Sequence, residues 1–262
     1  MRLLYYRAAV MNSLRKAARL GCRLLTVAAS KPKRLSHILG SALAATEDVI
    51  HPDCDLLKIP QVNVADLLPE SGDPWCLNLA FFPRTFASVS VLEFSCLVIL
   101  MRRARAKRVF EFGTYMGVST TQLALNLPSD GTFYTLDLPE DSNGTRLQIT
   151  DPDERAISVE KGKGGLIPAD LKKRITFVRQ DSASFDEAPL ADSIDFVFID
   201  GAHSYEYVKN DSEKGWRMLR RGGVIAWHDF RPQDPDVVRY LIHSNFQISW
   251  IAGTSIAFAV KP

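Results

Sequence analysis

Apolar residues along the second half of the chain follow two alternating rhythms. Short runs at 108–112, 132–137, 175–179, 194–199 and 223–227 read as strands, and 194–199, apolar throughout except for Asp195, has the pattern of a strand buried on both faces. Between them, 118–126, 205–219 and 235–244 place apolar residues at helical spacing. Ahead of this series, Ser90-Val91-Leu92-Glu93 has the form of a capping box. An apolar run from Phe94 to Met101 follows, and its basic tail (Arg102, Arg103, Arg105) complements a helix dipole. Strand–helix alternation of this kind predicts an α/β fold, a doubly wound parallel sheet with helices on both faces. The last two strands, 246–251 and 255–260, are separated only by a turn at Gly253-Thr254 and must form an antiparallel hairpin.

Two regions depart from this rhythm. Residues 31–75 are rich in turn formers (Pro32, Pro52, Pro60, Pro69, Gly72, Pro74) and read as connecting chain with one or two short helices. Residues 139–170 interrupt a strand-to-helix connection with Pro139, Gly144, Pro152, Lys161-Gly162-Lys163-Gly164-Gly165 and Pro168. A connection that long is either a lid over a site or a surface insertion. The division is therefore a basic, partly helical arm at 1–46, a connecting or cap region at 47–87, and the main domain at 88–262.

Charge sharpens this division. The net charge of +2 gives the 262-residue chain no overall bias toward nucleic acid. Yet residues 1–46 hold nine Lys or Arg and no Asp or Glu, so a basic arm precedes an acidic body. Within the arm, Val10, Leu14, Ala17, Leu24 and Ala28 share one side of a helix and Arg15, Arg19 and Arg23 the other. Such a helix can rest on an anionic membrane surface, or pack on its own domain or on a second copy in a homo-oligomer. The interspersed basic residues exclude a secretory signal and a membrane span. The four cysteines, Cys22, Cys54, Cys76 and Cys96, form no C-x-x-C pair and fit a reducing compartment. A cytoplasmic, membrane-peripheral at most, protein is expected.

The candidate chemistry lies at the carboxyl ends of the strands, where an open parallel sheet binds its ligand. Glu111-Phe112-Gly113-Thr114-Tyr115-Met116-Gly117 closes the first core strand and opens a helix, with Gly113 letting a ligand approach the backbone. Asp137 ends the next strand, where a carboxylate can accept both hydroxyls of a ribose. Asp181-Ser182 follow the third, with Asp181 able to accept an adenine amino group. Asp200-Gly201-Ala202-His203 and Trp227-His228-Asp229 end two further strands. If those strands are neighbours, Asp200, His228 and Asp229 converge and can hold a divalent cation or one another. Trp75, Phe81, Phe82 and Phe86 are candidates for a substrate wall or for core packing.

Taken together, Phe110–Thr114, Tyr134–Pro139, Phe198–Glu206 and Gly222–Asp229 resemble the class I S-adenosylmethionine (SAM)-dependent methyltransferases, and within them the methyltransferase domain 24 group. The resemblance spans roughly 88–262. It implies a Rossmann-like, seven-stranded sheet with a reversed last strand. It further implies a SAM site formed by Glu111, Gly113, Thr114, Tyr115, Gly117, Asp137, Leu138, Asp181, Ser182 and Asp200. Related O-methyltransferases bind Mg²⁺ at the positions of Asp200 and of the 228–229 pair. Here His228 departs from their oxygen ligands. The expected reaction is O-methylation of a small-molecule or sugar hydroxyl, with His203 and then His228 as the residue taking the proton. Two alternatives stand beside it. One is a binding module on the same fold, anchored by the basic arm. The other is an NAD-dependent dehydrogenase, which Asp137 also suits but which the missing closely spaced glycine pair disfavours.

Overall fold

The computed structural model describes residues 59–68, 76–80, 88–140, 142 and 144–262. Its sheet holds eight strands: β1 (Gln61–Val62), β2 (Arg108–Phe112), β3 (Thr132–Asp137), β4 (Ile175–Arg179), β5 (Ile194–Ile199), β6 (Leu219–Trp227), β7 (Ser249–Ile251) and β8 (Ala257–Val260). Their spatial order is β1-β7-β8-β6-β5-β2-β3-β4. All pairings are parallel except those of β8 with β6 and β7. The helices are α1 (Val64–Leu67), α2 (Val91–Arg103), α3 (Val118–Leu125), α4 (Pro152–Ser158), α5 (Ala169–Lys172), α6 (Tyr205–Met218) and α7 (Pro235–His243).

The apolar strands are explained by cover on both faces. Side chains alternate across the pleat. Val109, Phe133, Phe196, Phe198 and Ala226 pack with α2, α3 and α5 on one face. Phe110, Phe112, Val197, Ile199, Ile225 and Trp227 pack with α6 and α7 on the other. The capping box forms as expected, with Ser90 Oγ accepting from Glu93 N (3.2 Å) and Glu93 Oε2 accepting from Ser90 N (2.8 Å). Asp195, the one acid in its strand, lies at the opposite end of the sheet from the site. It accepts from Lys107 N (2.8 Å) and Arg108 N (2.7 Å), which joins β5 to β2.

The sheet has eight strands, one more than expected, because the connecting region supplies β1. Two residues carry too little pattern to show in sequence. They are held by neighbours, with Trp250 N donating to Pro60 O and Ala252 N to Val62 O, each at 2.9 Å. The interruption at 139–170 is also more structured than a bare loop, since it contains α4 and α5. The basic arm and the aromatic residues Trp75, Phe81, Phe82 and Phe86 lie outside the described residues. Among those described, no helix is long and apolar enough to cross a membrane.

The sheet reverses its winding between β2 and β5, and there the two strand ends nearly touch. Asp200 N donates to Phe112 O at 2.9 Å, and Gly113 N to Leu136 O at 2.8 Å. A Cβ at Gly113 would stand 2.0 Å from Asp200 O, at a φ of +93°. Gly113→Ala is therefore expected to cost about 3 kcal/mol or more. Gly253→Ala, at a φ of +77° but with nothing within 4 Å of the new carbon, should cost only about 1–2 kcal/mol. Urea denaturation of the two variants measures the difference, and equal losses would remove the close approach as its cause.

Candidate active site

Above the carboxyl ends of β2–β6 lies a cavity of about 440 Å³, the size of a small-molecule site. Gly113, Thr114, Tyr115, Gly117, Asp137, Leu138, Asp181, Ser182, Asp200, His203, His228 and Asp229 all line it. Glu111 is the exception among the sequence candidates. It is fully buried beneath the turn, where Thr120 and Thr135 donate to its Oε2. Thr135 Oγ1 in turn lies 2.6 Å from Thr114 Oγ1, so Glu111 reaches the cavity wall through hydroxyls. Burial pushes its carboxyl up to about 8, against the opposing pull of those hydroxyls, and leaves it neutral at physiological pH.

The glycines also make room for neighbouring chain. The space at Gly113 is taken by Asp200 O, and a Cβ at Gly117 would meet Ile167 at 2.4 Å. Both therefore admit other parts of the chain, while their own backbones line the cavity. Tyr115 (φ 43°) shares the left-handed backbone of this turn.

One side of the cavity carries two anchored carboxylates. Asp137 Oδ2 accepts from Thr114 N (3.1 Å) and Tyr115 N (2.7 Å), and its Oδ1 from Lys163 Nζ (2.6 Å). Asp181 accepts from Ala183 N (2.8 Å), Arg146 N (2.7 Å) and the Tyr207 hydroxyl (3.0 Å). Burial and the Asp181 charge push the Tyr207 hydroxyl up to about 12. Nearby, Asp211 is wholly buried at the cavity wall, and burial lifts its carboxyl to about 7.

The opposite side is a network of imidazoles and carboxylates. Parallel pairing of Ile199 with Trp227 brings the two following segments together. His228 Nδ1 lies 3.0 Å from Asp200 Oδ1 and 2.9 Å from Asp229 Oδ2, with Glu93 Oε2 at 3.6 Å from its Nε2. His203 Nε2 lies 2.9 Å from Asp229 Oδ2, and its Nδ1 2.7 Å from Glu154 and 3.3 Å from Asp234. Arg231 pairs with the other Asp229 oxygen at 2.8 Å. Burial alone would lower both imidazoles, but Asp229, Asp234 and Glu154 raise His203, and Asp200, Asp229 and Glu93 raise His228. The facing carboxylates thus favour the imidazolium form of both rings. Burial would likewise raise Asp229 and Glu93, yet the facing imidazoles hold each well below the usual carboxylate range.

Asp200, Asp229 and His203 offer ligand atoms within 4.8 Å of one another, a spacing suited to a metal ion. The expected trio had His228 in place of His203. The convergence of Asp200, His228 and Asp229 does occur, with His228 between the carboxylates. Lys163, Glu154, Tyr207, Arg231 and Asp234 join the site without having been singled out for it. None carries a motif, and Lys163 and Glu154 come from the 139–170 segment. Glu93 was read only as a cap, yet it also accepts from Ser255 N (2.9 Å) and faces His228.

The chain is similar to known proteins. A family described as a methyltransferase domain matches residues 110–230. Caffeoyl-CoA O-methyltransferase from Stellaria longipes is 27% identical over 150 residues, covering 55% of each chain. Tricin synthase 1 from Oryza sativa subsp. japonica is 31% identical over 144 residues, covering 54% of this chain and 52% of its own. The chain thus spans about half the length of the curated relatives it matches. A Staphylococcus aureus structure provisionally described as a caffeoyl-CoA O-methyltransferase superposes with a TM-score of 0.50 at 17% identity, covering 67% of this chain and 85% of that one, which is a likeness of fold.

Neutral Glu111 makes a signed prediction. Its folded-state value near 8 exceeds the ordinary 4.5, so the folded form binds the extra proton and stability falls as pH rises between those values. The melting temperature of wild type should therefore drop more between pH 5 and pH 8 than that of Glu111→Gln. Parallel melting curves for the two proteins would rule out a buried neutral carboxyl.

Proposed function

We propose that this chain, whose residues 110–230 are a methyltransferase domain of the class I type, transfers a methyl group from SAM to a hydroxyl of a small molecule. The observation that carries the reading is one cavity with two chemically distinct sides. The turn at 113–117, Asp137 and Asp181 suit a nucleoside, and Asp200, His203, His228 and Asp229 suit an acceptor. The sulfonium cofactor carries the chemistry, and the protein supplies placement.

Apart from the His203 and His228 imidazoles and Arg231, the charged side chains lining the cavity are carboxylates. Arg231 is already paired with Asp229 and Asp234. This balance favours a neutral acceptor, such as a phenol or sugar hydroxyl, and a cationic cofactor. Several of the curated relatives are caffeoyl-CoA O-methyltransferases by name, which supports oxygen as the atom methylated.

The donors also fit a divalent cation, which would acidify a bound hydroxyl. Asp200, His203 and Asp229 would hold it. An imidazole among the ligands suits Mn²⁺, Fe²⁺ or Zn²⁺ better than Mg²⁺. The chain's own residues act around the acceptor oxygen. His228, and His203 where no cation is bound, place positive charge beside it and stabilise the charge it develops, a role that replaces simple proton abstraction. Asp200, beside His228 on the cavity wall, is the carboxylate available to share the proton.

Calorimetric titration tests the cofactor, and transfer of labelled methyl to a panel of phenols and sugars tests the reaction. SAM is expected to bind and NADH not. Asp137→Ala should weaken SAM by about tenfold or more, because charge-assisted hydrogen bonds contribute about 1.5–3 kcal/mol each. His203→Ala and His228→Ala should each lower turnover about a hundredfold. SAM that fails to bind would favour a non-catalytic binding module, whereas NADH binding would favour a dehydrogenase. Unchanged turnover in both histidine variants would remove them from the chemistry.

A further inference from the structure

The Lys161-Gly162-Lys163-Gly164-Gly165 run in the 139–170 segment has no place in the reaction described so far. Within it Lys161, Gly162 and Gly165 are exposed, but Lys163 and Gly164 between them are buried. Its chain lies along the back of the cofactor turn, with Gly164 N donating to Tyr115 O (2.6 Å) and Leu166 N to Met116 O (3.0 Å). Ile167 fills the space that Gly117 leaves open. At its centre, the Lys163 side chain is only 2% exposed. Burying an ammonium is costly unless its donors are satisfied. Here all three are, by Asp137 Oδ1 (2.6 Å), Leu138 O (3.0 Å) and Ser158 O (3.0 Å).

We propose that Lys163 is a positioning residue for the cofactor ribose, acting through the Asp137 carboxylate, and that the 139–170 segment is thereby a built part of the cofactor site. The proposal rests on the reading of Asp137 as the ribose acceptor. Lys163 has no donor left for a ligand and is not itself on the cavity wall, so its effect passes through Asp137.

Counting acceptor positions makes the effect specific. A carboxylate offers about four lone-pair directions, two on each oxygen. Thr114 N and Tyr115 N fill both on Oδ2, and Lys163 Nζ fills one on Oδ1. One position remains, on Oδ1. Asp137 therefore accepts one ribose hydroxyl strongly, where the sequence alone allowed both, and Lys163 fixes the direction in which it does so. The lysine's own backbone is tethered at the start of the segment. Glu140 Oε1 accepts from Gly162 N (2.9 Å) and Lys163 N (3.2 Å).

The test is calorimetric binding of S-adenosylhomocysteine and its 2′-deoxy and 3′-deoxy analogues to wild type, Lys163→Met and Glu140→Ala. In wild type one deoxy analogue should bind about tenfold or more worse than the other, since one hydroxyl carries the charge-assisted bond. In Lys163→Met the two analogues should come within about threefold, because the freed Oδ1 position serves either hydroxyl. Glu140→Ala alters an exposed side chain, so it serves if Lys163→Met does not fold, and it should give an intermediate ratio. Equal binding of the two analogues by wild type would overturn the proposal, as would a ratio unchanged in the variants. If wild type binds none of the three ligands, the cofactor reading itself falls and the proposal with it, a result distinct from an unchanged ratio.

Discussion

The site depends on the close approach of two strand ends. Where β2 and β5 finish side by side, the backbone of Gly113 stands against the carbonyl of Asp200, with no room for even a methyl group between them. Parallel strands wound outward in both directions from this pair leave a crevice at their carboxyl ends. The two halves of the site are the loops that leave these strands and their neighbours. One loop presents backbone amides to Asp137, and the other carries Asp200 and His203.

A second constraint is electrostatic. The histidine side of the cavity gathers Glu93, Glu154, Asp200, Asp229 and Asp234 into a small space, an arrangement that is costly unless opposite charges face it. The chain supplies matching cations of its own, His203, His228 and Arg231. The carboxylates raise the imidazoles, and the imidazoles lower Asp229 and Glu93, so each favours the charged form of the other. Glu111 and Asp211 take the opposite course. With few or no cations facing them, burial raises each. Carboxyl groups in and around one cavity thus behave in two ways, according to what faces them.

The 139–170 segment joins these two systems. Lys163 reaches Asp137, Arg146 N reaches Asp181, and Glu154 bonds both the backbone and the ring of His203. Three points of one insertion meet residues from three different strand ends. A free surface insertion would leave its polar groups in water. This one buries an ammonium against one carboxylate and two backbone carbonyls.

Much of this was legible in the sequence for a simple reason: strands buried on both faces and helices with one apolar stripe have distinct periods. The core strands, the terminal hairpin, the capping box at Ser90 and the gathering of functional groups at strand ends all follow from local pattern and the rules of parallel sheets. What sequence could not determine was which groups meet. Nothing local marks Lys163 as the partner of Asp137, or Glu154 as the partner of His203, because charges 26 and 49 residues apart pair only after the chain has folded back. For the same reason β1, two residues long, gained strand character only from the edge of β7. The surroundings of Gly113, Glu111 and the two histidines were likewise set by the fold: neighbouring backbone closes on the first, burial raises the second, and surrounding charge raises the last two.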